Sequence, residues 1–438
     1  MYHAMAGRRT KVRLESLGRY DPDPGLSAPR NSLGWRRHDV VERVASSPTL
    51  LGLLASIVSG AFALVHLFVG AKGNLSAFIL VGAAHAHPAQ LPHGITVYAP
   101  GYDGMYYYRL ALDPLQWRHT AFGITFDSSY RIVRIAYPAL AWLFAAGHRG
   151  LAPATLVVVN VVAFGVLTGC ACALAREARR RPAWGLLIPA YWGYLWTISR
   201  DLTELVAAAA LVGAMLAIRR DRPVVAALCL TVGVLGRETV LVFIAAVGLA
   251  RVVAWFRAGS GRTTALSGRA LGDLAHGGPG RSDLVWLVPA LAFVGWEIAV
   301  RQRIADFPVL ESVSTNRGVP FVGIAQGFSH YLAQFPDHAA LAWFVEFAVL
   351  ALVVVSALVV FPTTRALLHE RLAWIGFVAL SVSLSNQIWL GDVGFRSLDE
   401  VFVLSVVLLL FSPRRLRLPA AASGLTWLAV FVQLARVV

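Results

Sequence analysis

The stretch at residues 50–70, LLGLLASIVSGAFALVHLFVG, carries no charged side chain. At about 1.5 Å per helical residue it is long enough to cross a hydrocarbon layer of about 30 Å, so it reads as a membrane-spanning helix. The rest of the chain reads the same way. Hydrophobic residues make up 57% of its 438 positions and the mean hydropathy is +0.63, outside the range of ordinary soluble domains. The expected class is all-α: a polytopic membrane helical bundle.

Ahead of this run, Arg8, Arg9, Lys11, Arg13, Arg19, Arg30, Arg36, Arg37 and Arg43 form a basic tail. The positive-inside rule places that tail, 1–49, in the cytoplasm and makes the first span a signal anchor. Its Pro-, Gly- and Asp-rich part at 21–29 reads as disordered. Further apolar runs lie at 151–175, 183–199, 202–218, 223–236, 239–256, 284–300, 339–361, 372–390, 398–411 and 420–434. The short apolar run 137–147 decides the topology. If it crossed, Arg176, Arg179, Arg180 and Arg181, and then Arg219, Arg220 and Arg222, would all fall outside. Laid on the outer surface as an amphipathic helix, it returns both clusters to the cytoplasm, together with the arginines of a 257–283 loop and Arg414, Arg415 and Arg417. The reading is therefore about eleven spans, a transmembrane domain at 50–438. It has a first external loop at 71–150 with short surface helices and a second at 301–338. The arginine-rich, alanine-rich composition points to a bacterial plasma membrane. Topology also accounts for the net charge of +15, so no nucleic-acid partner is expected. Cys170, Cys172 and Cys229 lie inside apolar runs and read as packing residues.

With this topology the ionisable residues collect on one side. Tyr102, Asp103, Asp113, Asp127, Arg131, Arg134, Arg200, Asp201, Glu204, Arg237, Glu238, Asp392, Arg396 and Asp399 all fall at external helix ends, and charge near lipid usually faces a protein interior or a wet cavity. The densest segment is GYDGMYYYRLALDP, 101–114. Asp103 there is either the N-cap of a helix that Pro114 ends, beside a belt of interfacial tyrosines, or a carboxylate held next to Arg109 and able to take a proton from a hydroxyl. Arg131 and Arg134, three apart, share a helical face and suit bidentate binding of a phosphate, or else snorkel to lipid headgroups. Asp201 and Glu204 have the spacing of a capping box. Arg237 is a further phosphate contact or simply neutralises Glu238. Asp392 and Arg396 carry the same ambiguity.

The chain has no GxGxxG after a strand, no phosphate-binding P-loop and no metal-ligand pattern of His, so a soluble nucleotide sugar is not the expected donor. No metal ligands are assigned, and a divalent cation is compatible with the acids without being required.

A first span, a large external loop with an early Asp, a surface helix and an outer turn with acids resemble the membrane glycosyltransferases of the GT-C class. The blocks GYDGMYYYRLALDP and YRIVRIAYPALAWLF are similar to the loop of glycosylphosphatidylinositol mannosyltransferases, and NLSAFILVG, YDG and RDLTE at Asn74, Tyr102 and Arg200 resemble a bacterial group of GT-C-like proteins. The likeness covers roughly the first 260 residues, and the paired acids that several families carry in this loop have no counterpart. The resemblance implies a sugar donor linked to polyprenyl phosphate and a glycan, lipid or protein acceptor on the outer face. It makes Asp103 the catalytic base and Tyr102, Arg109, Asp127, Arg131, Arg134, Arg200, Asp201, Glu204, Arg237, Glu238 and Arg396 substrate contacts. A transporter or lipid flippase is the rival expectation, against which stand the lack of a repeat and the scarcity of charge at the membrane midplane. A non-catalytic subunit of envelope assembly is the third.

Overall fold

The computed structural model describes residues 42–259, 281–304, 308–391, 393–413, 421 and 423–424. The chain divides into compact units at 1–42 and 43–438, and the second contains the membrane-length helices. Nearly all of the expected basic tail, most of the 257–283 loop, Asp392 and most of the expected last span lie outside the described residues.

The described chain is predominantly helical. Among the described residues five helices are long and apolar enough to cross a membrane: Pro48–Gly70, Arg149–Glu177, Glu238–Phe256, Leu284–Ile304 and His338–Val360. In the first, Leu53, Ile57, Leu64, Phe68 and Val69 are all more than half exposed, an apolar face suited to lipid. Its other face packs on the helix Ala152–Glu177 through small residues. A Cβ on Gly52 would stand 2.7 Å from the Gly165 carbonyl oxygen, so the two backbones meet only because both positions are glycine.

Eight helices carry the site. They are α1 (Gly104–Leu112), α2 (Tyr130–Val133), α3 (Ala136–Phe144), α4 (Glu204–Arg219), α5 (Leu241–Gly259), α6 (Pro308–Asn316), α7 (Leu368–Val382) and α8 (Asp399–Leu410). The nine-residue α3 is too short to cross a bilayer. It buries Tyr137, Pro138 and Ala141 and exposes Leu143 and Phe144, the amphipathic pattern expected of a surface helix. The loop before it also holds two strand pairs that the sequence pattern does not signal: Val81–Gly82 parallel to Val97–Tyr98, and Thr120–Ala121 antiparallel to Ile124–Thr125.

Three apolar runs expected as spans are not single long helices. Run 183–199 is a 3-10 turn, Pro182–Leu187, followed by the short helix Gly193–Ser199, with Pro189 interrupting hydrogen bonding between them. Run 372–390 breaks after α7, where the Ser381 and Ser383 hydroxyls bond back to the Phe377 and Ala379 carbonyls, and resumes at Asn386–Gly391. Run 398–411 is the 12-residue α8, wholly buried and about 18 Å long.

Candidate functional site

The turn before α1 is placed by close backbone approach. A Cβ on Gly104 would come within 2.4 Å of the Arg200 carbonyl oxygen, so only glycine lets the start of α1 press against the turn 200–203. The YDG and RDLTE blocks, far apart in sequence, thereby touch. Asp103 occupies the N-cap position of α1, yet its side chain makes no capping bond. It reaches instead into a cleft where Arg131 Nη1 lies 2.9 Å and Arg396 Nη2 2.7 Å from the same oxygen, Oδ2. Among the described residues Oδ1 has no partner, and the side chain remains 15% exposed. Burial alone would raise the Asp103 pKa; the guanidinium of Arg131, then those of Arg396 and Arg134, outweigh it and hold the carboxyl well below the usual carboxylate range.

Around Asp103 the charges are paired throughout. Arg131 also forks onto Asp127, at 3.1 and 3.0 Å. It is aimed by the short α2, whose entry is fixed from α6: Glu311 Oε2 accepts from the Ser129 backbone N–H at 3.0 Å and from its hydroxyl. Arg396 donates to Glu204 at 2.5 Å and to the Tyr102 hydroxyl at 3.1 Å. Arg134 forks onto Glu238 at 3.1 and 2.9 Å, and Arg237 bonds Asp399 at 2.6 Å. Arg237 and Glu238, adjacent in sequence, therefore do not neutralise each other. Each finds its partner on another segment.

These residues floor a cavity of about 400 Å³. Tyr102, Asp103, Arg131, Arg134, Glu238 and Arg396 form its polar side, while Leu241 and Val242 of α5 and Leu380 of α7, with Leu384 and Ile388 beyond it, form an apolar wall. Ser312, Asn316 and Arg317 close it from α6 and the turn after it.

Of the sequence-predicted residues, Tyr102, Asp103, Arg131, Arg134, Arg237, Glu238 and Arg396 line the cavity; Asp127 and Glu204 stand behind, gripping its arginines. Arg109 does not lie beside Asp103. Fully buried, it stacks 3.7 Å over Phe126 and donates to the Arg118 and His119 carbonyls, fastening the loop, and burial draws its pKa down to about 10. Arg200 lies over Trp196, 5.9 Å from the ring centre, outside the cavity lining. The capping box is absent as well: Thr203 holds the N-cap position of α4, and Asp201 adopts φ +50° with Oδ1 accepting from the Tyr137 hydroxyl at 3.3 Å. Burial pushes the Asp201 carboxyl well above its usual range.

Sequence reasoning missed Glu311, Ser312, Arg317 and Glu400. The acid pair Asp399 and Glu400 opening α8 was the available signal for the last, since carboxylates favour a helix start; Arg317 gives none. Among the described residues no group of three or more His, Cys, Asp or Glu side chains is placed to hold a metal ion. No family model, curated protein or solved structure matches the chain. The likeness to GT-C enzymes therefore rests on the quoted sequence blocks.

Proposed function

We propose that the protein is a membrane glycosyltransferase that moves a sugar from a polyprenyl-phosphate carrier to a hydroxyl acceptor on a glycan, lipid or protein, with its cavity on the external face. The topology that goes with this has about eleven membrane crossings or partial crossings and a cytoplasmic N-terminus, as charge bias favours. The observation that carries the reading is the asymmetry of Asp103: two guanidiniums hold Oδ2 while Oδ1 has no partner among the described residues, and the residue lines a cavity with one polar and one apolar side. An apolar wall suits a lipid chain, and fixed guanidiniums suit a phosphate.

In the reaction the acceptor oxygen forms a bond to the sugar anomeric carbon as the bond from that carbon to the phosphate oxygen breaks. The hydroxyl proton passes to Asp103 Oδ1, and the lipid phosphate departs with the bonding electrons. Arginines on Oδ2 keep the resting carboxylate a weak base, so proton transfer comes late, once the attacking hydroxyl has become acidic. Preorganised guanidiniums then stabilise the leaving charge without reorganisation.

The test is transfer from synthetic polyprenyl-phosphate sugars by purified protein. Asp103→Asn keeps the size and one acceptor oxygen, so turnover should fall by ~10²–10⁴-fold with membrane abundance unchanged. Near-normal transfer by that variant removes Asp103 from the role. A second reading, a non-catalytic subunit, is favoured by one fact: each of the four arginines round Asp103 already has a carboxylate. Wild-type protein that binds such donors without transferring or hydrolysing them would favour it.

A further inference from the structure

Four of the arginines in the cavity are already bound to acids. Arg131 holds Asp103 and Asp127, Arg134 holds Glu238, Arg237 holds Asp399, and Arg396 holds Glu204 and Asp103. Pulling any of them fully onto a ligand would leave a buried carboxylate without its partner, which is unfavourable. Arg317 is different. Its Nη1 donates to the Leu380 carbonyl at 3.3 Å, and among the described residues neither Nε nor Nη2 has a partner and no carboxylate lies within ion-pair distance. The acid whose charge reaches it is Glu238, both of whose oxygens Arg134 occupies, with the Ser312 hydroxyl on one of them at 2.8 Å.

The backbone beneath Arg317 is fixed on both sides. Gly318 N–H bonds the Ser383 carbonyl at 2.8 Å, Phe321 N–H the Val382 carbonyl at 2.7 Å, and Ser385 N–H the Asn316 carbonyl at 2.9 Å. These bonds span the break between α7 and the helix Asn386–Gly391, so the interruption in that apolar run is what seats Arg317 at the cavity edge. Behind the guanidinium rises the wall of Leu380, Leu384 and Ile388, faced by Val242. Burial lowers the pKa of Arg317, and the charge of Glu238 offsets it only in part.

We propose that Arg317 is the phosphate anchor of this cavity: an isoprenoid phosphate seats its headgroup on the free edge of that guanidinium and lays its chain along the Leu380, Leu384 and Ile388 wall. The inference rests on the lipid-linked donor reading above and assigns its headgroup to a residue which that reading did not use. The arginines round Asp103 then orient the carboxylate and meet the phosphate only as it leaves.

Equilibrium binding of farnesyl phosphate to the full-length protein in detergent tests this, with farnesol and inorganic phosphate as comparison probes. Wild type should bind farnesyl phosphate well above both, with affinity that falls as salt rises. Arg317→Gln should weaken farnesyl phosphate by about tenfold or more and leave farnesol unchanged, since a charge-assisted bond is lost and the apolar wall is not. Arg317→Lys should fall between, keeping the charge without the fork. If the glutamine variant does not fold, Arg317→Met, which keeps an apolar stem, takes its place. Equal binding of farnesyl phosphate by wild type and Arg317→Gln overturns the anchor while sparing the donor reading. No binding by wild type overturns both, and equal binding of phosphate and farnesyl phosphate overturns the lipid wall.

Discussion

One helix, α4, carries a buried ion pair at each end, and the two ends differ in kind. At its start Glu204 meets Arg396 beside the cavity; at its end, about 24 Å away, Arg219 forks onto Glu370 of α7 at 3.0 and 2.5 Å. The second pair is closed. Both Glu370 oxygens are taken by Arg219, one of them also accepts the Leu367 N–H at 2.8 Å, and the guanidinium lies 3.5 Å over Phe411. The Glu370 side chain is fully buried. At the first end, among the described residues, Asp103 keeps an unclaimed oxygen and Arg317 an unclaimed edge, and both residues line the cavity. Burial and pairing are common to the two clusters, so neither marks a site. Unclaimed polar atoms next to a cavity do.

That contrast breaks if the two ends respond alike to substitution. Glu370→Ala leaves Arg219 buried without its partner and removes the bond that starts α7, so it should cost about 3–5 kcal/mol of stability. A thermal unfolding scan in detergent reads this as a large drop in midpoint, with donor binding lost only as folded protein is lost. Asp103→Asn should do the reverse, removing turnover and sparing the midpoint. A Glu370→Ala protein as stable as wild type would show that the closed pair is no clamp.

Gly104→Ala sharpens the comparison at intermediate size. The added methyl meets the Arg200, Ile79 and Phe78 carbonyl oxygens at 2.4, 2.9 and 3.1 Å, none of which can swing aside as a side chain would. Backbone shift at such a contact costs about 1–3 kcal/mol, and a displacement of about 1 Å at Asp103 costs up to ~10²-fold in rate. Turnover should therefore fall further than the loss of stability explains. Unchanged turnover per folded molecule would detach the YDG and RDLTE contact from the chemistry.

Much of the floor was legible because local spacing carries it. Arg131 and Arg134 share a short helical segment, and Asp103 stands before a helix-compatible run, so their grouping followed from the sequence of one loop. Arg109 was misplaced for an equally local reason. It is six residues beyond Asp103, and at about 100° per residue that turns it about 240° round the helix, onto a face packed on Phe126. The partners of Asp103, Glu204 and Arg237 were not legible, since Arg396 is 293 positions from Asp103 and Asp399 is 162 from Arg237. The expected spans failed where polar side chains or proline compete with the helix ladder, as Ser381, Ser383 and Pro189 do, because hydropathy sums over a window and does not register a broken backbone bond.

The smallest effect on turnover concerns Asp201, which sequence spacing paired with Glu204 and the structure buries alone. Its Oδ1 accepts from Tyr137, itself bonded by Asn160 at 2.9 Å, while Oδ2 is buried without a partner among the described residues. Its folded pKa is raised, burial being the cause and the Tyr137 bond only partly offsetting it. A group with a raised folded pKa stabilises the fold fully below its unfolded value of about 4, and that contribution is lost as pH rises through the folded value. Asp201→Asn supplies the neutral, isosteric form at every pH. The variant should match wild type near pH 4 and exceed its unfolding midpoint at neutral pH, because wild type alone loses about 1.4 kcal/mol per pH unit above that point for as long as the folded acid stays protonated. Its turnover should stay close to wild type, which separates it from Asp103→Asn, a change in the neighbouring turn. A steep loss of turnover in Asp201→Asn, with the midpoint held, would move this acid from the packing around the Tyr137 hydroxyl into the machinery of the cavity and redraw the boundary between closed and open charge.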